Sequence, residues 1–181
     1  MNIVVMGVSG CGKTALARML SDRLHLPFIE GDDLHSPQNR ARMSAGLPLD
    51  DGMRQPWLER IGAEMQQQST GPGGCVVACS ALKRHYRNIL RRGGADVFVH
   101  LQARFEVIEA RLQHRQGHFM PVSLLTSQYA ILEPFDGDET DTILLDAERP
   151  VAVLCDQACR RLVCDFHDII GTGRALSENN G

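Results

Sequence analysis

The residues with the plainest chemistry stand near the start of the chain. Residues 7–14 read Gly-Val-Ser-Gly-Cys-Gly-Lys-Thr, the spacing G-x-x-x-x-G-K-[ST]. In such a loop glycines let successive backbone N–H groups turn inward and cradle a phosphate chain at a helix N-terminus, where the helix dipole favours negative charge. Gly7, Gly10 and Gly12 give the loop its freedom, and Ser9, Cys11, Lys13 and Thr14 complete the cradle. Lys13 is placed to reach the β- and γ-phosphates, and the Thr14 hydroxyl to sit on Mg²⁺. Of 19 Lys plus Arg only two are lysine, Lys13 and Lys83. A chain that writes nearly every positive charge as arginine but keeps Lys13 needs a compact ammonium there. The same logic makes Lys83 a candidate site residue.

Further candidates fall where a sheet would deliver them. Phe28-Ile29-Glu30 reads as a short strand that carries Gly31-Asp32-Asp33-Leu34-His35 to a carboxyl edge, where ligands bind in open α/β sheets. Of the adjacent Asp32 and Asp33, one can hold the Mg²⁺ shell or take a proton from an attacking hydroxyl, while the other can cap the next helix. Arg54 heads an expected helix and can point at an anionic group. Ser80 and Lys83 follow the apolar run 75–79 and return to the same edge. Arg111 and Arg115 lie four apart on one helical face, ahead of the break Gly117-His118-Phe119-Met120-Pro121. Arginines at a helix–break–helix suit a lid that closes on transferring phosphates and excludes water. Cys11 lies at a helix N-terminus, where a lowered thiol pKa and sensitivity to oxidation are expected. Cys155, Cys159, Cys164 and His167 allow a zinc site, but without a C-x-x-C pair they read better as small core residues.

The elements that must hold these residues alternate in type. Strands are expected at about 2–6, 28–30, 75–79, 96–101 and 142–146. Helices are expected at about 13–24, 38–45, 54–68, 104–116, 122–133 and 151–166, with one more opened by Ser80–Arg84 and running to about 92. Pro56 is placed in the first turn of its helix, and Trp57, the only tryptophan, in the core. This is a three-layer α/β fold: a five-stranded parallel sheet, helices on both faces and a small helical lid. Residues 1–170 form one domain, with an acceptor-binding segment at about 32–58 and a lid at about 115–133. Residues 171–181 read as a disordered tail. With 181 residues, 43% of them hydrophobic, the chain can build one core. A net charge of −3 argues against nucleic acid as a partner. No apolar stretch is long enough for a membrane span, the chain opens directly on strand and loop, and the cytoplasm is the expected compartment.

Taken together, the phosphate loop, the acceptor segment and the arginine lid resemble the nucleoside-monophosphate-kinase-like group of P-loop kinases. Within it, the run from Gly31 to Asn39, followed by Met43, Gly46, Pro48-Leu49, Asp51, Arg54 and Pro56-Trp57-Leu58, resembles the gluconokinase family. Residues 79–87 and 115–120 are similar to two further stretches of that family. The resemblance implies transfer of the ATP γ-phosphate to the 6-hydroxyl of D-gluconate, a Mg²⁺ requirement and a homodimer. It makes Lys13, Asp32 and Arg115 the expected catalytic residues. Asp32, His35, Arg54, Ser80, Lys83 and His118 are expected around the substrate. Arg111 and Arg115 join the loop in binding the nucleotide. Two positions depart from the family pattern: Arg42 replaces the usual lysine, and Gly52-Met53 stands where an aspartate usually precedes Arg54. A shikimate-kinase-like enzyme and a non-catalytic nucleotide-binding module are the alternatives.

Overall fold

A computed structural model describes residues 1–69, 73–114, 122–135 and 137–166. Its centre is a five-stranded sheet in the order β2-β3-β1-β4-β5, with β1 at Ile3–Met6, β2 at Phe28–Glu30, β3 at Val76–Ala78, β4 at Val97–Gln102 and β5 at Thr142–Asp146. Every pairing is parallel, and Ile3 lies between Val76 and Val97. The three inner strands are buried almost throughout, hence their mostly apolar sequences, in which His100 of β4 is the buried polar exception. Chain connections leave β1 and β3 in opposite directions, toward β2 and β4 respectively. The crevice for a ligand therefore lies beyond the carboxyl ends of these two neighbours.

Helices cover both faces. On one face α1 (Lys13–Leu24) and α7 (Val151–Asp165) bury Leu16, Leu20, Leu154, Ala158 and Leu162. The same cluster takes in Ile108 of α5 (Phe105–His114) and Leu125 of α6 (Val122–Ile131). On the other face α3 (Asp51–Gln68) and α4 (Arg84–Arg92) bury Trp57, Ile61, Met65, Tyr86 and Leu90. Here α3 and α4 cross so closely that a Cβ on Gly62 would stand 2.9 Å from the Cα of Gly93. Neither position admits a side chain without moving a helix. The short α2 (Pro37–Ser44) is started by Ser36, whose hydroxyl accepts from the Asn39 amide at 3.1 Å, with Pro37 in its first turn.

Two local expectations change. The α3 helix begins at Asp51, not near 54, because the Asp50 carboxylate caps it by accepting from the Met53 amide at 2.8 Å. Pro56 therefore falls in the second turn. Its ring faces the carbonyl of Gly52, four residues back, and Gly52 carries no side chain to add to the crowding. All six cysteines are free, and Cys75, Cys79 and Cys155 are core residues. Among the described residues no group of three or more His, Cys, Asp or Glu side chains could hold a metal. No helix among them is long and apolar enough to cross a membrane.

Candidate active site

The phosphate loop joins β1 to α1, with Gly12 at φ +100° as the last residue before the helix. Its neighbours press on it. A Cβ on Gly7 would meet the Leu101 carbonyl oxygen at 2.7 Å, and one on Gly10 would meet Leu112 Cδ2 at 2.9 Å. The glycines are thus needed for close approach as well as for turning. The Gly7 amide donates to the Ser80 carbonyl at 3.3 Å, which ties the loop to the end of β3. Lys13 Nζ donates to the Val8 carbonyl at 2.9 Å, which fixes the ammonium against its own loop. The Cys11 thiol corrects an expectation. It turns down into the core with 2% exposure, and burial raises its pKa despite the pull of Lys13. Loss of hydration outweighs the helix terminus, so this thiol is not poised for oxidation.

Thr14 Oγ1 donates to Glu30 Oε2 at 2.9 Å. Glu30 is the last residue of β2 and was not among the sequence candidates. The signal was present: a carboxylate closing a buried strand must emerge at the ligand edge. Burial raises the Glu30 pKa, against the Thr14 hydrogen bond that lowers it. Asp32 and Asp33 follow in a single 3-10 turn, Gly31–Leu34, and both are exposed. That turn is fixed from behind, where the Trp57 indole N–H donates to the Gly31 carbonyl at 2.7 Å. A Cβ on Gly31 would lie 2.4 Å from the Ala78 carbonyl oxygen. His35 stacks on Trp57, with ring centres 4.1 Å apart and 3% exposure. Burial lowers its pKa to about 4, so it is neutral at pH 7. The charges of Lys13, Asp32 and Arg54 all reach the buried Cys79 thiol, which burial raises to about 12.

The acceptor side carries a cationic cluster. Lys83, the residue preceding α4, bonds both oxygens of Asp51 at 2.8 and 2.9 Å. The Tyr86 hydroxyl donates to Asp51 as well. The Tyr86 ring lies 5.5 Å from Lys83 Nζ and 5.7 Å from the Arg54 guanidinium carbon. Hydrogen bonds from Lys83 and Tyr86 hold the Asp51 pKa below its ordinary value. Asp50 is spent on the α3 cap, so Asp51 is the carboxylate left to orient the cations. Asp51 is one of the two carboxylates expected to stand in for the missing aspartate before Arg54; Tyr86 extends the sequence-derived set, and the spacing Lys83-x-x-Tyr86 across a helix start was the available signal. Ser80 lies half-buried at the end of β3.

Arg111 is exposed on α5 beside a cavity of about 800 Å³ that Gly10, Arg104, Val107 and His114 also line. Its charge reaches both Cys11 and Glu148. Arg115 and His118 lie outside the described residues. Of the expected lid, what is described is α6, and it is docked: Leu125 is fully buried and the Tyr129 hydroxyl donates to the Ala103 carbonyl at 2.9 Å.

A phosphate loop at the switch point of a parallel sheet, a carboxylate set beside it and a cationic pocket across the crevice define a P-loop small-molecule kinase. Comparison with known proteins agrees. Residues 9–129 match the family model described as shikimate kinase. The chain is 44% identical over 164 residues to the thermosensitive gluconokinase of Escherichia coli K12, covering 90% of this chain and 87% of that one. It is 45% identical over 159 residues to the gluconokinase of Gluconobacter oxydans 621H, covering 87% and 89%. The crystal structure of a gluconokinase from Sinorhizobium meliloti 1021 superposes with a TM-score of 0.84 at 40% identity, covering 96% of this chain and 97% of that one. The chain belongs to the gluconokinase family.

Proposed function

We propose that the protein transfers the γ-phosphoryl group of ATP to the 6-hydroxyl of D-gluconate, giving 6-phospho-D-gluconate and ADP. The observation that carries this is the pairing of a phosphate cradle with a cluster of Arg54, Lys83 and Tyr86 organised by Asp51. An anionic polyol needs a cation for its carboxylate and polar side chains for its hydroxyls. Arg54 and Lys83 supply the charge, and His35, Ser80 and His118 are assigned to the polyol side. Asp32 takes the proton of the attacking hydroxyl as its oxygen bonds to the γ-phosphorus and the bond to the ADP oxygen breaks. Its exposed position at the end of β2 suits that task. Lys13, Arg111 and Arg115 offset charge on the transferred group, and the loop amides at Gly10, Gly12, Lys13 and Thr14 hold the rest of the phosphate chain.

Mg²⁺ fits the donors present. Thr14 and the nearby Glu30 and Asp32 offer hydroxyl and carboxylate oxygens, the hard ligands it prefers, and it ordinarily takes only one or two protein ligands besides phosphate and water. When bound it neutralises phosphate charge. Residues 1–170 serve as one catalytic domain, and the enzyme works as a homodimer in the cytoplasm, where ATP is supplied. The deciding assay is ATP consumption with D-gluconate, with shikimate and with no acceptor. Gluconate-dependent ADP release is expected. Equal ADP release with shikimate, or release independent of any acceptor, refutes the assignment.

A further inference from the structure

We propose that Gln128, on α6, is a positioning residue for Lys13. The two are joined through one peptide unit. The Val8 carbonyl accepts from Lys13 Nζ at 2.9 Å, and the N–H of the same peptide, that of Ser9, donates to Gln128 Oε1 at 2.6 Å. Rotation of this peptide plane about its flanking Cα atoms would break both bonds together. Among the described residues nothing else holds its N–H. Its oxygen has one further partner, the Cys11 amide, at a longer 3.4 Å. Gln128 is itself held firmly. Three residues earlier Leu125 is fully buried in the core, and one residue later the Tyr129 hydroxyl bonds the Ala103 carbonyl while its ring meets Phe105 edge-on at 5.3 Å. A carboxamide on a docked helix therefore sets the orientation of the peptide that receives the phosphate-binding ammonium. A hydrogen bond from a backbone N–H of this loop to a neutral side-chain oxygen keeps the remaining amides free for phosphate, without adding a negative charge to the cradle.

This inference rests on residues 7–14 being the nucleotide's phosphate cradle, and not on the identity of the acceptor. Having only two lysines makes it directly readable. Selective ¹³C-lysine labelling gives two side-chain signals, one from Lys13 and one from Lys83. In Gln128→Met, which keeps the side-chain length and removes the acceptor, the Lys13 signal is expected to shift or broaden while that of Lys83 stays. The kcat should fall about 5- to 10-fold, the worth of one part-buried hydrogen bond, with the acceptor KM changed less than about twofold. Gln128→Glu retains an acceptor oxygen. It should restore the Lys13 signal and kcat at saturating ATP while raising the ATP KM, because a carboxylate now faces the phosphates. An unchanged Lys13 signal in Gln128→Met overturns the proposal. So does a Gln128→Glu as impaired in kcat as Gln128→Met, or a general loosening in which both lysine signals move and the melting temperature falls with them. Because the lysine signals need no acceptor, a failure of the gluconate assignment leaves this test intact.

Discussion

Two histidines buried in neutral form should make the fold acid-labile well above the range where its carboxylates titrate. His35 and His100 are each about 3% exposed. Burial lowers both pKa values to about 4; the nearby Arg54 and Arg40 add to the effect at His35 against Asp32, and Arg87 adds to it at His100. Among the described residues His100 Nδ1 has no hydrogen-bond partner, and the ring lies against Phe135, so the N–H formed by a second proton would find no acceptor there. An unfolded histidine titrates near 6.5. The unfolded chain therefore binds more protons than the native one between about pH 6.5 and 4, and stability must drop as the pH falls through that window. At pH 5.5 the linkage gives about 1.4 kcal/mol per histidine, or roughly 3 kcal/mol for the pair, a large share of the stability of a domain of this size. Urea unfolding at pH 7.5 and 5.5, followed by circular dichroism, measures it. In His100→Leu, which removes one titrating group and its orphaned nitrogen, the loss should halve. A stability change below about 1 kcal/mol across this interval, or an undiminished loss in His100→Leu, would refute the reasoning.

The active-site geometry predicts three further outcomes. Glu30→Gln keeps an acceptor for the Thr14 hydroxyl but removes the charge beside it, so the Mg²⁺ concentration for half-maximal activity should rise about tenfold with little change in melting temperature. Lys83→Met removes a cation that Asp51 and Tyr86 orient; the gluconate KM should rise roughly 10- to 100-fold with the ATP KM nearly unchanged, as steady-state kinetics would reveal. Iodoacetamide at pH 7.5 should modify the exposed Cys164 and leave the buried Cys11 intact, which peptide mass spectrometry would verify.

Much of the frame is legible in the residue order because each strand and its loop are specified locally. The apolar run Ile3–Met6, the glycines that follow and the helix-forming stretch from Lys13 agree with one another, and α1 spans the residues expected of it. Strands β2 and β5 also fall where expected. The α3 start was misjudged because Arg54 and Pro56 look like a beginning, whereas the Asp50 side chain had already capped the helix. Cys11 was misjudged because a motif shows that a thiol stands at a helix terminus and not which way it points. Glu30, Asp51 and Tyr86 acquire their roles from partners 16 to 35 residues away in the chain, at distances that no local spacing encodes. Gln128 is the extreme case: one of several polar residues on its helix, bonded to an amide 119 residues earlier.

The docked helix α6 also joins the two halves of the site. Near its middle Gln128 holds the Ser9 amide of the phosphate loop. Just past its end the Glu133 amide donates to the Leu82 carbonyl at 2.9 Å, and the Glu133 carboxylate accepts from the Arg84 amide at 2.6 Å, capping α4 immediately after Lys83. The segment that follows is bolted down by Arg87, fully buried, which bonds both oxygens of Glu139 at 2.7 and 2.6 Å, while Arg91 bridges Glu139 and Asp141. Burial would raise the Glu139 pKa, but these guanidinium bonds outweigh it and hold the value at about 2, so the clamp stays charged throughout the pH range in which the histidines titrate. One rigid path thus runs from the peptide that receives Lys13 to the start of the helix that presents Lys83. Phosphoryl transfer depends on the spacing between donor and acceptor far more than on covalent chemistry. A helix anchored at both of those points can fix that spacing without contributing a reacting group.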